Sequence, residues 1–101
     1  MSSSDGNVCR ATITVTGRVQ GVGFRHWTAA EVRSLQLPIT GTVRNQSDGT
    51  VEVVAESADR IAIERLLTRL ATGPNSARVD TVHALYENDA EPRYEDFKVG
   101  F

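Results

Sequence analysis

The sequence predicts an α+β domain in which one antiparallel sheet carries two helices on a single face. Three observations predict it. Two segments have apolar residues at helical spacing, strand-like segments flank them in the order β-α-β-β-α-β, and Asp48-Gly49 marks a hairpin between the middle strands. The 101 residues suffice for one domain that buries roughly two thirds of the surface its unfolded chain exposes. Met1 to Asn7, with Ser2, Ser3, Ser4 and Gly6, has nothing to bury and is expected to be a flexible tail, leaving a domain over 8–101.

From Val8 onward, Ala11, Ile13 and Val15 alternate with Thr12, Thr14 and Thr16, the period of a strand with one face covered. Cys9 shares the apolar parity and reads as a small buried hydrophobe. Phe24, Trp27, Val32 and Leu35 fall on one side of a helical projection, and Pro38 ends that helix. Glu31 projects onto the same apolar stripe, as a boundary position or as a polar contact to the neighbouring loop. Thr40 to Asn45 reads as the second strand, Gln46 to Gly49 as a turn, and Val51, Val53 and Ala55 as the inner face of the third. Ser57 is the expected cap of a second helix, with Asp59 in its first turn and Ile63, Leu66, Leu67 and Leu70 facing inward. Gly73-Pro74 ends that helix. Val79 to Tyr86 is the fourth strand, Glu87 to Pro92 a polar loop, and Tyr94, Phe97, Val99 and Phe101 suggest a short fifth strand. One sheet built in this order with both helices on one face is the ferredoxin-like arrangement.

Composition excludes several classes of function. A formal net charge of −2 argues against a nucleic-acid surface, so Arg18, Arg25 and Arg44 are better explained by a local anion site. The single cysteine forms no internal bridge, and no apolar run is long enough for a signal peptide or membrane helix, so a cytoplasmic protein is expected. His26 reads as a surface residue. His83 has no Cys, Asp or Glu at ligand spacing, so no metal site is expected. The remaining carboxylates read as solvated faces.

The segment Gly17-Arg18-Val19-Gln20-Gly21-Val22-Gly23-Phe24-Arg25 joins the first strand to the first helix through three glycines and ends on an arginine. Glycine allows backbone N–H groups to turn inward, and the first turn of a helix adds unpaired donors and a partial positive charge. This is a cradle for a small anion, although it is neither a Walker loop nor a dinucleotide fingerprint. The first two strands of a βαβ unit run in one direction, so their ends lie at the same edge of the sheet. Asn45 shares parity with Gly41 and Val43 on the helix side. Arg25 and Asn45 are therefore expected to converge.

No nucleophilic triad or acid–base pair accompanies them. That lack narrows the chemistry. Phosphoryl transfer runs mostly on positioning and on donors aimed at the transferring oxygens, and a carboxylate leaving group, with a pKa of about 4, needs no acid. A neutral amide such as Asn45 can hold an attacking water. An acyl phosphate is the substrate class such a sparse site could hydrolyse.

Those nine residues, together with Val43-Arg44-Asn45, Asp48-Gly49-Thr50-Val51-Glu52-Val53 and Gly73-Pro74, resemble the acylphosphatase family over nearly the whole chain from Val8. The resemblance implies a small cytoplasmic enzyme that hydrolyses carboxyl–phosphate anhydrides without metal or cofactor, on a sheet of order 4-1-3-2-5. It implies that the loop amides of Gln20, Gly21, Val22, Gly23, Phe24 and Arg25, with the Arg25 side chain, bind the phosphate, and that Asn45 orients the water. Inorganic phosphate or sulfate would act as product or inhibitor, and the protein would be a monomer that binds neither nucleic acid nor membrane. Where the family usually reads Leu-Gly-Leu, one residue, Gly and an aromatic, this chain has Leu35-Gln36-Leu37, Pro38-Ile39-Thr40 and Gly41-Thr42, two residues longer and with Thr42 for the aromatic. The competing reading is a ferredoxin-like anion- or ligand-binding regulatory module without turnover.

Overall fold

The structure, a computed structural model, describes residues 6–100. Phe101 and most of the expected tail lie outside the described residues. Seven elements follow in order: β1 (Val8–Arg18), α1 (Phe24–Ser34), β2 (Thr40–Asn45), β3 (Val51–Ser57), α2 (Arg60–Thr72), β4 (Arg78–Ala90) and β5 (Phe97–Val99). They form a five-stranded sheet of order β4-β1-β3-β2-β5. The alternation in β1 sends Ala11, Ile13 and Val15 to one face, where they are fully buried against Val51, Val53 and Ala55 of β3 and Val43 of β2. Phe24 and Val32 of α1 and Ala62, Ile63, Leu66 and Leu70 of α2 join the same core, so both helices cover that face. The fold is the ferredoxin-like one that the strand and helix order predicts.

β1 and β2 both run antiparallel to β3, which sends their C-terminal ends to one edge of the sheet. β4 is antiparallel to β1 and finishes at the opposite end. A chain that crosses there and turns back must run with β2, and β5 does pair with β2 in parallel, so the sheet is mixed rather than wholly antiparallel.

Several local expectations are corrected. The buried stripe of α1 is Phe24, Thr28, Ala29 and Val32, with Trp27 at its side, tilted 52° against the Phe24 ring. The sequence pattern passed over Thr28 because it is polar; its hydroxyl is satisfied internally by donating to the Phe24 carbonyl at 2.9 Å. Asp59, not Ser57, caps α2: Asp59 Oδ1 accepts from Ile61 N at 3.0 Å, while Ser57 Oγ accepts from Asp59 N one turn earlier. β4 extends to Ala90 instead of ending at Tyr86, because β1 begins at Val8 and supplies a partner for residues 87–90 across a bulge that puts Asp89 at φ 57°. Glu31 reaches the other helix rather than a loop, accepting from Arg69 Nε at 2.7 Å. Glu56 is no part of a solvated face; it is 1% exposed and bound to Arg10.

The lengthened α1–β2 connection has a clear geometry. Leu35 caps α1, Gln36 takes a left-handed φ of 52°, Gln36 N donates to Arg33 O and Leu37 N donates to Val32 O. This is the Schellman ending that usually carries glycine. Leu37 and Ile39 on either side of Pro38 are buried, so the extra residues enlarge the core instead of bulging into solvent.

Candidate active site

The loop between β1 and α1 hangs between two buried anchors, Val19 and Phe24, each 1% exposed. Within it Gly21 and Gly23 have φ of 74° and 78°, a backbone that costs an L side chain roughly 1–2 kcal/mol. A Cβ at either would meet nothing within 4 Å, so these glycines are required by conformation, and the rim of the loop is open. Gly23 is the N-cap of α1 and no side chain caps the helix. The first turn therefore presents its amides and the positive end of the helix dipole toward the loop.

Two side chains fix the loop's position. Gln20 Nε2 donates to the carbonyls of Gln46 and Thr50, at 2.7 and 2.9 Å, tying the loop to the β2–β3 turn. Ser76 Oγ donates to the Val22 carbonyl at 2.9 Å from the segment before β4. The turn itself is held by Gln46 N donating to Thr50 O and by Asp48 Oδ1, which accepts from both the amide and the hydroxyl of Thr50. Those two bonds, the hydroxyl's first, draw the Asp48 carboxyl below its ordinary pKa.

Arg25 and Asn45 are both half-buried at this end of the sheet. Arg25 Nη1 donates to the Gly100 carbonyl at 2.6 Å, and Gly100 N donates to Val43 O at 2.7 Å. The guanidinium is thereby braced against β2 two residues before Asn45. Asn45 lies on the helix side with Val43, and its Oδ1 is buried without a hydrogen-bond partner among the described residues. An unpartnered buried acceptor is costly in a native structure and calls for a ligand or water.

The three arginines do not share one anion site. Arg44 points to the opposite face of the sheet and pairs with Glu52 at 3.1 Å, and Arg18 is exposed. His26 and His83 are exposed. Among the described residues no three of His, Cys, Asp and Glu are grouped as metal ligands, and no helix is long and apolar enough to cross a membrane. Cys9 is half-buried, with Sγ 3.9 Å from Asn88 Oδ1. A shallow cavity of about 390 Å³ between β2, β5 and residues 93–96 contains neither Arg25 nor Asn45.

The acylphosphatase family model matches residues 11–99. Acylphosphatases of Thermobifida fusca and Salinibacter ruber are 53% identical over 79 residues and 44% identical over 90; the matches cover 78% and 89% of this chain and 84% and 90% of those proteins. The chain belongs to the acylphosphatase family. Its structure superimposes on the acylphosphatase from Bacillus subtilis with a TM-score of 0.83 at 28% identity, covering 92% of this chain and 99% of that one. For an acylphosphatase from Coxiella burnetii the values are 0.79 and 37%, over 99% and 100%. The chain is accordingly an enzyme, a hydrolase of acyl phosphates, and the regulatory-module alternative is not favoured.

Two features of this acylphosphatase escaped the sequence. The Gln20 side chain clamps the loop to the strand end that carries Asn45, whereas the family resemblance implied only a use for its amide. The Gly100 carbonyl braces Arg25 from 75 residues away. A backbone acceptor carries no sequence signal.

Proposed function

We propose that Arg25 and the amides of Gln20, Gly21, Val22, Gly23 and Phe24 bind the phosphoryl group, and that Asn45 holds the water that attacks it. The observation that carries the proposal is the buried, unpartnered Asn45 Oδ1 on β2, beside the loop that Gln20 ties to the same strand end. Oδ1 accepts a hydrogen bond from the water and so turns an oxygen lone pair toward phosphorus. As the phosphorus–water bond forms, the bond from phosphorus to the acyl oxygen breaks and the carboxylate leaves with the electron pair. The water's proton passes to a phosphoryl oxygen, giving carboxylate and inorganic phosphate. The planar Arg25 fork and the fixed amides stabilise charge on the equatorial oxygens, which is most of what this reaction requires of a protein.

This reading needs no metal and no acid. The enzyme acts as a monomer on a small acyl phosphate, with inorganic phosphate or sulfate as competing anions and no nucleic-acid or membrane partner. A net charge of −2 and a single, half-buried cysteine support cytoplasmic action. The test is hydrolysis of benzoyl phosphate in the presence of a chelator. Arg25→Gln is expected to lose activity and phosphate binding together, and Asn45→Ala to lose turnover while phosphate still binds. Abolition by chelator, or equal loss of turnover and binding in Asn45→Ala, overturns the mechanism.

A further inference from the structure

We infer that Glu56, at the far end of the sheet from the loop, is a positioning residue for Arg25; the inference rests on Arg25 being the phosphate ligand. Glu56 and Arg10 lie on the sheet face opposite the helices, yet they are 1% and 4% exposed because residues 91–94 cover them. Arg10 and Glu56 bind each other across β1 and β3, Arg10 also binds Glu87 of β4, and both reach out to the connector. Arg10 Nε donates to Glu56 Oε2 at 2.8 Å, Arg10 Nη1 to Glu87 Oε1 at 2.8 Å and Arg10 Nη2 to the Glu91 carbonyl at 2.6 Å. Glu56 Oε1 accepts from the amides of Arg93 and Tyr94 at 3.0 and 3.3 Å.

The connector has little slack. Residues 91–96 carry the chain from β4 at one edge of the sheet to β5 at the other, past β1, β3 and β2. Four strand spacings are about 19 Å, and the steps from Ala90 to Phe97 reach about 24 Å when extended. A nearly extended segment pinned at its middle fixes where the next strand begins. The register is then passed on by Gly41 N donating to Asp96 O at 2.9 Å, by the three β2–β5 pairs, and by Gly100 N on Val43 O. The last link is the Gly100 carbonyl on Arg25. β5 is only three residues long and cannot hold this line by itself.

Release of the connector is therefore expected to loosen Arg25 while leaving the loop amides and Asn45 in place. The test uses the full chain with Glu56→Gln, which turns one acceptor into a donor facing the Arg93 and Tyr94 amides. Beside it stands Arg10→Met/Glu56→Leu, which removes the acceptor without leaving a buried charge. KM for benzoyl phosphate and the inhibition constant for inorganic phosphate are expected to rise together about five- to tenfold, as for one weakened charge-assisted hydrogen bond, with kcat within about threefold. Amide exchange at Gly41 and Gly100 should accelerate relative to β1 and β3. Folded variants with wild-type inhibition constants and wild-type exchange at those two glycines overturn the inference. In the wild-type protein, Arg93 and Tyr94 amides that exchange freely while Gly100 is protected overturn it without any variant. Arg25→Gln, measured in parallel, separates the two levels. If it leaves phosphate binding unchanged, the reading of Arg25 itself falls; if it weakens binding and the Glu56 variants do not, only the positioning role falls.

Discussion

Asn45→Ala is expected to move stability and activity in opposite directions. Asn45 Oδ1 is buried and bonded to nothing among the described residues, so truncation breaks no hydrogen bond made by that atom within the protein. An unsatisfied buried acceptor costs about 1–3 kcal/mol, and a bound water recovers most of that, so the variant should be between unchanged and about 1 kcal/mol more stable. For a domain of this size that is an increase in Tm of up to roughly 4–8 °C. Activity should fall by about 10²- to 10³-fold in kcat, the range for removing one preorganised dipole that acts on the reacting group. The inhibition constant for inorganic phosphate should stay within about threefold, since the loop and Arg25 are untouched. The measurements are steady-state hydrolysis of benzoyl phosphate, phosphate inhibition and thermal melting by circular dichroism. A variant that melts well below the wild type while keeping its kcat would refute the reasoning, because Asn45 would then be a turn-forming residue with a structural bond.

Three further outcomes are expected. Gln36→Gly relieves the φ of 52° at the end of α1 and should stabilise the protein by about 0.5–1 kcal/mol in chemical denaturation, after allowing for glycine's greater freedom when unfolded. Gln20→Leu cuts both bonds to the β2–β3 turn and should lower kcat about tenfold or more with a smaller change in phosphate inhibition, read from the same kinetic assay. The Thr50 hydroxyl and amide hold the Asp48 carboxyl below its ordinary pKa of 3.8, so its contribution to the turn is complete above that value and lost as pH falls through the lowered one. The Thr50 amide resonance should report this titration, and Asp48→Asn should abolish it.

What the sequence made legible follows from period and punctuation. The strict alternation in β1 leaves one choice of inner face, Glu52 and Glu56 mark the outer face of β3 despite Val54, and Gly73-Pro74 stops α2 where it stops. Asn45 could be assigned to the helix side because parity from Gly41 through Val43 is unbroken. What could not be read depends on partners far along the chain. Glu31 is polar on an apolar stripe because Arg69 meets it from α2. The polar run after Tyr86 suggested a loop, yet it stays in β4, where Arg10 takes up Glu87 and Asn7 donates to Asp89 Oδ1. Glu56 alternates with core residues as a solvent-facing carboxylate would, and only a chain segment arriving from residues 91–94 buries it.

The parallel pairing of β5 with β2 has a consequence for how the enzyme is built and lost. In a chain made from its N-terminus, the glycine loop emerges about seventy residues, and Asn45 about fifty, before the strand whose end braces Arg25. On the proposed reading of Arg25, full affinity for the phosphoryl group is therefore acquired only after the four-stranded core is able to close. The reverse order holds under stress: a three-residue edge strand detaches at lower cost than the strands it borders. Low denaturant should weaken phosphate inhibition and raise KM for benzoyl phosphate while most of the helical and sheet signal remains.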